Sequence, residues 1–219
     1  MMTIDIDSEL IVKPGDDTDT RRIVCKLISY LLQYPDTEWR EGLQGVQEAV
    51  LSVSDEQVKQ TVLTFIRDAQ ATDAILWQDA YVRSFDFDKK SNLYLTYIAH
   101  GDERDRGPAL IELKRRYEAA GFYMEASELP DYLPMVLEFI AEAPEMDAIG
   151  VIHTCYKALV TMTESIAEQN SPYGPLLNLM LQVVPEPSVS DAPGPSEAQQ
   201  KQAFGGLNEI VELMRRGSR

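Results

Sequence analysis

Apolar residues recur along this chain at intervals of three and four, segment after segment, and strict alternation is nearly absent. Val24, Leu27 and Leu31 predict a first helix over 20–33, which Pro35 stops. Asp36 caps a second through Leu43, Val46 and Val50. Ser54-Asp55-Glu56-Gln57 reads as a capping box that opens a third helix, with a face of Val58, Val62, Phe65 and Ala69. Asp73 begins a fourth, carrying Trp77, Tyr81 and Phe85. A short helix over 91–99 ends at Gly101. The next starts near Gly107 with Pro108 in its first turn, buries Leu110, Leu113 and Tyr117, and ends at Gly121. Pro130 and Pro134 suit the first turns of a helix over Leu133, Val136, Leu137 and Ile140. The longest helix, over 147–170, aligns Ala148, Ile152, Cys155, Leu159, Met162 and Ile166 as a packed seam. Pro172 ends it, and 176–184 gives one more helix. The expected class is all-α, a single globular multi-helix domain over 20–184. Residues 1–19 read as an acidic flexible arm. Residues 185–219 read as a Pro-rich linker and tail, with a short amphipathic stretch after Phe204 broken by Gly205-Gly206.

Charge narrows the choice of partner. The 219 residues hold 36 acids against 20 bases, a net charge of −16, which repels a phosphate backbone and disfavours anionic membrane surfaces. No window approaches the ~18 apolar residues that span a bilayer. Cys25 and Cys155 form no C-x-x-C, so neither a disulfide framework nor a zinc site is expected. Both lie on apolar faces and read as buried thiols. Arg21-Arg22 faintly resembles a twin-arginine export signal, but the apolar run after it is short, contains Ser29 and Tyr30, and meets Pro35 without a cleavage site. The expected compartment is the cytoplasm.

Three segments between Trp77 and Pro144 stand out: Y-V-R-S-F-D (81–86), H-G-D-E-R-D-R-G (100–107) and E-L-P-D-Y-L-P (128–134). Tyr81 and Phe85 share a helix face, either as core or as the aromatic wall of a groove with Asp86 at its rim. Asp102, Glu103, Arg104, Asp105 and Arg106 make either a solvated loop or a set of clamped ion pairs, with Asp105 as a helix cap. Ser127 and Asp131 are cap residues on one reading; on the other, stiffened turns present Glu128 and Asp131 to a basic ligand. Between Tyr117 and Tyr156 there are eight acids (Glu118, Glu125, Glu128, Asp131, Glu138, Glu142, Glu145 and Asp147) and no Lys or Arg, a field that steers cations. His100 has no H-x-x-x-H or H-E-x-x-H partner. A hydrolase using Asp86, His100 and Asp131 is the competing enzymatic reading, and a plain helical adaptor is another.

At these segments the chain resembles the NarJ family, the private chaperones that assemble respiratory nitrate reductase, and more distantly the TorD/DmsD-type molybdoenzyme chaperones. The resemblance is carried by S-Y-L-L-Q-Y-P (29–35), Y-V-R-S-F-D, H-G-D-E-R-D-R-G-P-A-L (100–110), and E-L-P-D-Y-L-P followed by V-L-E-F (136–139). It implies an all-helical cytoplasmic protein of the TorD/DmsD/NarJ type, without catalytic activity or a stably bound cofactor. Its partner would be the catalytic (alpha) subunit of respiratory nitrate reductase, held through a basic N-terminal peptide while molybdenum cofactor is inserted. Neither nucleic acid nor direct membrane insertion is implied. On that resemblance Tyr81, Phe85, Leu133 and Leu137 touch the apolar face of the peptide, and Glu128, Asp131 and Asp86 meet its basic residues. Pro130 and Tyr132 complete the motif, while His100, Arg104, Asp105, Arg106 and Gly107 organise the groove. The family usually carries His where this chain has Tyr132. A chaperone for a different molybdoenzyme is the nearest alternative.

Overall fold

The structure, a computed structural model, describes residues 17–101, 104–124 and 128–187. Among them run nine α-helices: α1 (Asp17–Leu31), α2 (Thr37–Leu51), α3 (Glu56–Ala71), α4 (Ala74–Phe85), α5 (Leu95–His100), α6 (Arg106–Ala119), α7 (Leu133–Glu142), α8 (Glu145–Glu168) and α9 (Gly174–Val183). A 3₁₀ turn, Lys89–Ser91, precedes α5. The described residues contain no strand, and their one pairing of extended backbone is an antiparallel bridge between Tyr94 and Tyr132.

The caps explain where the helices begin. Asp36 accepts from the Trp39 amide at 2.9 Å, and Asp73 from those of Ile75 and Leu76. Such caps stabilise a helix by about 1 kcal/mol each. The expected capping box at Ser54 is replaced by a simpler device: Asp55 is the cap and accepts from both Gln57 and Val58. α1 begins at Asp17, so Asp17, Thr18 and Asp19 belong to the helix and not to the arm. The rest of the arm lies outside the described residues, as does the tail after Pro187. The helix expected over 91–99 is split into the 3₁₀ turn and α5, because residues 92–94 are extended to pair with the turn before α7. Pro134 sits in the first turn of α7 as expected, whereas Pro130 lies in the turn ahead of it.

α1 is the central helix, packed against α7 and α9. Val24, Cys25, Ile28, Leu31 and Leu32 are fully buried along its course, and truncating one such leucine or isoleucine to alanine costs about 2–5 kcal/mol. α8 receives α5, α7 and α9 on its buried seam. Tyr30 and Trp39 clamp α1 to α2 reciprocally: the Tyr30 hydroxyl donates to the Trp39 carbonyl at 2.9 Å, and the indole N–H to the Tyr30 carbonyl at 3.0 Å. The hydroxyl lies so close to Gly42 that a Cβ there would sit 1.8 Å from it, which requires glycine unless Tyr30 moves.

Charge joins the same helices. Lys26 reaches Glu138 at 3.1 Å and Glu142 at 3.0 Å on α7, Arg21 pairs with Glu145 at the start of α8, and Arg22 donates to the Ala143 carbonyl at 2.9 Å. The Arg21-Arg22 pair thus fastens α1 across the α7–α8 junction.

Candidate functional site

The fold brings four segments that are far apart in sequence to one place. Ser29, on the buried side of α1, donates to the Pro134 carbonyl at 2.7 Å. The Tyr81 hydroxyl donates to the Leu32 carbonyl at 3.1 Å, and Gln78 to that of Pro35 at 3.0 Å. Tyr34, which follows α1, stands edge-on to the Tyr81 ring with centroids 5.4 Å apart. Arg106, at the start of α6, donates through Nε to Thr96 Oγ1 at 3.2 Å and comes within 3.9 Å of Asp131.

Around that junction runs a row of tyrosines. Tyr34 meets Tyr81, the Tyr81 and Tyr132 hydroxyls interact, and Tyr132 lies 5.4 Å from Tyr94 between ring centroids. The Tyr94 hydroxyl ends the row by donating to Glu128 Oε1 at 3.0 Å. Tyr34, at one end of the row, is 47% exposed, and Leu129, next to Glu128 at the other, is 41% exposed, so apolar surface lies at both ends. Burial, and then the hydrogen bond to Glu128, push the Tyr94 hydroxyl up to about 12. Tyr132 is raised chiefly by burial, with Glu128 and Asp86 both adding to the rise; Tyr81 is raised by burial first and then by the neighbouring Tyr132. Near neutral pH the Tyr81, Tyr94 and Tyr132 phenols are therefore uncharged, and Asp86 and Glu128 are the carboxylates of this surface. Both carboxylates are exposed, and neither forms an ion pair among the described residues. Chemically, the row sets aromatic rings and unneutralised negative charge side by side.

Several residues expected to touch a ligand are instead buried beneath this surface. Phe85, Leu133 and Leu137 are core, and Tyr81 is only 6% exposed. Tyr81 and Phe85 are covered by Tyr173, a fully buried ring that packs on Phe65, Trp77, Tyr81 and Phe85 at 4.9–6.0 Å. Pro130 is buried as well, its carbonyl held by the Tyr117 hydroxyl at 2.8 Å. Asp131 is wholly buried and accepts from Thr96 twice, from N at 3.0 Å and from Oγ1 at 2.5 Å, both on Oδ2. It is neither a surface contact nor the cap of α7, whose first flanking residue is Tyr132. Of the expected contacts, Asp86 and Glu128 are exposed and Tyr132 is half-buried. Tyr34, Tyr94, Thr96 and Leu129 were not singled out from the sequence. Tyr94 and Thr96 were hidden because 91–99 reads as continuous helix, which removes the extended backbone that pairs Tyr94 with Tyr132.

The loop residues also divide. Arg106 lies at the junction, and its guanidinium shares the Tyr97 ring with Lys89, at 5.3 and 5.6 Å from the centroid. His100 ends α5, half-buried, and Gly101 makes the turn at φ +61°. Arg104 and Asp105 are exposed, and Asp105 makes no capping bond to α6. A Cβ on Gly107 would meet nothing within 4 Å, so packing does not require glycine there. Asp102, Glu103 and Ser127 lie outside the described residues. The acidic field is also less free than its sequence suggests, since Glu138, Glu142 and Glu145 are taken by Lys26 and Arg21. Both cysteines are buried, and burial pushes each thiol up to about 12, in keeping with unreactive side chains. No group of three or more His, Cys, Asp or Glu residues able to hold a metal converges among the described residues.

A family model described as nitrate reductase delta subunit matches residues 23–177. The Bacillus subtilis nitrate reductase molybdenum cofactor assembly chaperone NarJ is 37% identical over 166 residues, covering 75% of this chain and 90% of that protein. Its Escherichia coli K12 namesake is 30% identical over 159 residues, covering 72% of this chain and 67% of that one. Among solved structures, a redox enzyme maturation protein from Archaeoglobus fulgidus aligns with 80% of this chain and 98% of its own, with a TM-score of 0.58 and 18% identity, a likeness of fold.

Proposed function

The chain belongs to the nitrate reductase delta subunit family, and from that premise we propose that it is a non-catalytic, system-specific chaperone of respiratory nitrate reductase. In this reading it binds the N-terminal segment of the catalytic subunit and holds the apoenzyme for molybdenum cofactor insertion and membrane-complex assembly. It acts in the cytoplasm and keeps no cofactor of its own. The observation that carries the reading is the tyrosine row from Tyr34 to Tyr94 with Asp86 and Glu128 unpaired beside it. A basic amphipathic peptide suits such a surface in the helix-in-groove manner: its apolar face on the rings, its cations at the two carboxylates. Tyr81, Phe85, Leu133 and Leu137 then support the contact from below, and Tyr132 lies within it.

Calorimetry with the N-terminal peptide of the catalytic subunit, at low and high salt, tests this. Micromolar or tighter binding that weakens with salt is expected, because exposed charge pairs are screened. A soluble, intact peptide that fails to bind removes the reading and leaves a helical adaptor for a folded partner. Equal affinity for leader peptides of other molybdoenzymes would make the protein a chaperone of broader cargo.

A further inference from the structure

Asp131 is the one wholly buried carboxylate among the described residues. Taking an ionised carboxylate out of water costs several kcal/mol unless its partners replace the lost hydration. Here both side-chain hydrogen bonds fall on one oxygen, Oδ2, and both come from Thr96; Oδ1 has no partner among the described residues, and Arg106 stands at 3.9 Å. The main chain repeats the link, with Leu95 N donating to the Asp131 carbonyl at 3.0 Å and Leu133 N to the Leu93 carbonyl at 2.8 Å. Asp131 therefore accepts from two consecutive amides, those of Leu95 and Thr96, one on its carbonyl and one on its side chain. Thr96 Oγ1 donates to Asp131 and accepts from Arg106, so one hydroxyl joins the starts of α5 and α6 to the turn before α7.

We infer that Thr96, Asp131 and Arg106 form a latch that positions the docking surface without touching what docks there. This rests on the peptide-binding reading above. The latch fixes the Tyr94–Tyr132 bridge, the bridge sets the two rings side by side, and Tyr94 holds Glu128. Loosening it leaves every surface group present but lets the ring pair and the carboxylate drift relative to Asp86. Thr96 is the sensitive member, because no other side chain among the described residues hydrogen-bonds to Asp131.

The test uses the full chain with T96V, which keeps the backbone donor and removes the hydroxyl, and T96S, which restores it. V62A in α3 is the control, a core truncation away from the latch. Peptide affinity by calorimetry is expected to fall about tenfold or more in T96V, to return in T96S, and to stay within about twofold in V62A. R106Q, at a half-buried position that tolerates change better, is expected to fall in the same direction by less. Amide exchange supplies a readout without cargo: Leu95 and Leu133 exchange faster in T96V, and not in V62A. Affinity in T96V no lower than in V62A would overturn the positioning role even if stability dropped. If wild-type protein binds no peptide at all, the docking reading fails. Exchange then judges the latch alone, and unchanged protection at Leu95 and Leu133 would overturn that too.

Discussion

The α1–α7–α8 junction and the tyrosine row are both acidic in sequence, and the fold treats their carboxylates in opposite ways. At the junction Glu138, Glu142 and Glu145 meet Lys26 and Arg21, cations more than a hundred residues earlier in the chain. At the row Glu128 has, among the described residues, a phenol and the Leu129 amide as its donors, and Asp86 closes α4 in the open. The first set ties helices together; the second leaves negative charge beside exposed aromatic surface. A charge count along the sequence gives both regions the same weight, yet Glu138, Glu142 and Glu145 are paired while Glu128 and Asp86 form no ion pair among the described residues.

The contrast breaks most severely where a buried acid is mistaken for an exposed one. Asp131→Lys places an ammonium in a fully buried site beside Arg106, and a loss of several kcal/mol is expected. Urea or thermal unfolding should show a protein that no longer unfolds cooperatively, or does so at a much lower midpoint, so its failure to bind would report on folding alone. Glu145→Ala comes next. It leaves the Arg21 guanidinium buried without its carboxylate and is expected to cost about 2 kcal/mol, an effect limited by the partial exposure of Glu145. Peptide affinity should be unchanged in that variant; a parallel loss would mean that the junction also faces cargo.

How much of this the sequence disclosed follows from the range of the interactions. The helices were legible because apolar spacing and caps such as Asp36 and Asp73 are local signals. The grouping of 81–86, 100–107 and 128–134 was read from their composition and their resemblance to one family, whereas the part played by 29–35 was not, since spacing alone says nothing of contact. The burial of Asp131 was not, because an acid beside prolines in a turn reads as solvated, whereas here 93–95 pair with 131–133. Thr96 gave no signal at all, since its partners come from the turn before α7 and the start of α6. Tyr81 and Phe85 were correctly placed on one face, but spacing does not say whether a face meets solvent or, as here, Tyr173.

The exposed side of the comparison sharpens with charge reversals that leave the fold alone. Glu128→Lys and Asp86→Lys each change an exposed side chain at the row. Each is expected to weaken binding of the N-terminal peptide about tenfold at low salt, equivalent to about 1.4 kcal/mol, with less effect at high salt. The midpoint of thermal unfolding should barely move. The double variant should lose more than either alone if both carboxylates meet the same peptide. Full affinity in both single variants would move the peptide off this surface.

The smallest effect concerns the phenols. Tyr94 titrates at about 12 in the folded protein against an ordinary value of 10.0, through burial first and Glu128 second. A raised pKa means that the folded state keeps its proton while the unfolded chain has begun to release it. The stability from this group is therefore complete below pH 10.0 and is lost as pH rises through about 12. Tyr94→Phe should flatten the decline of unfolding free energy across that window while leaving stability near neutral pH almost unchanged. Glu128→Gln should act in the same direction through Tyr94, because the neutral amide removes the negative charge that opposes phenolate formation. An alkaline decline as steep in Tyr94→Phe as in the parent would assign it to the deeper phenols, Tyr81 and Tyr132. The row would then be anchored from its buried end, with Glu128 as a free rim carboxylate available to a cation.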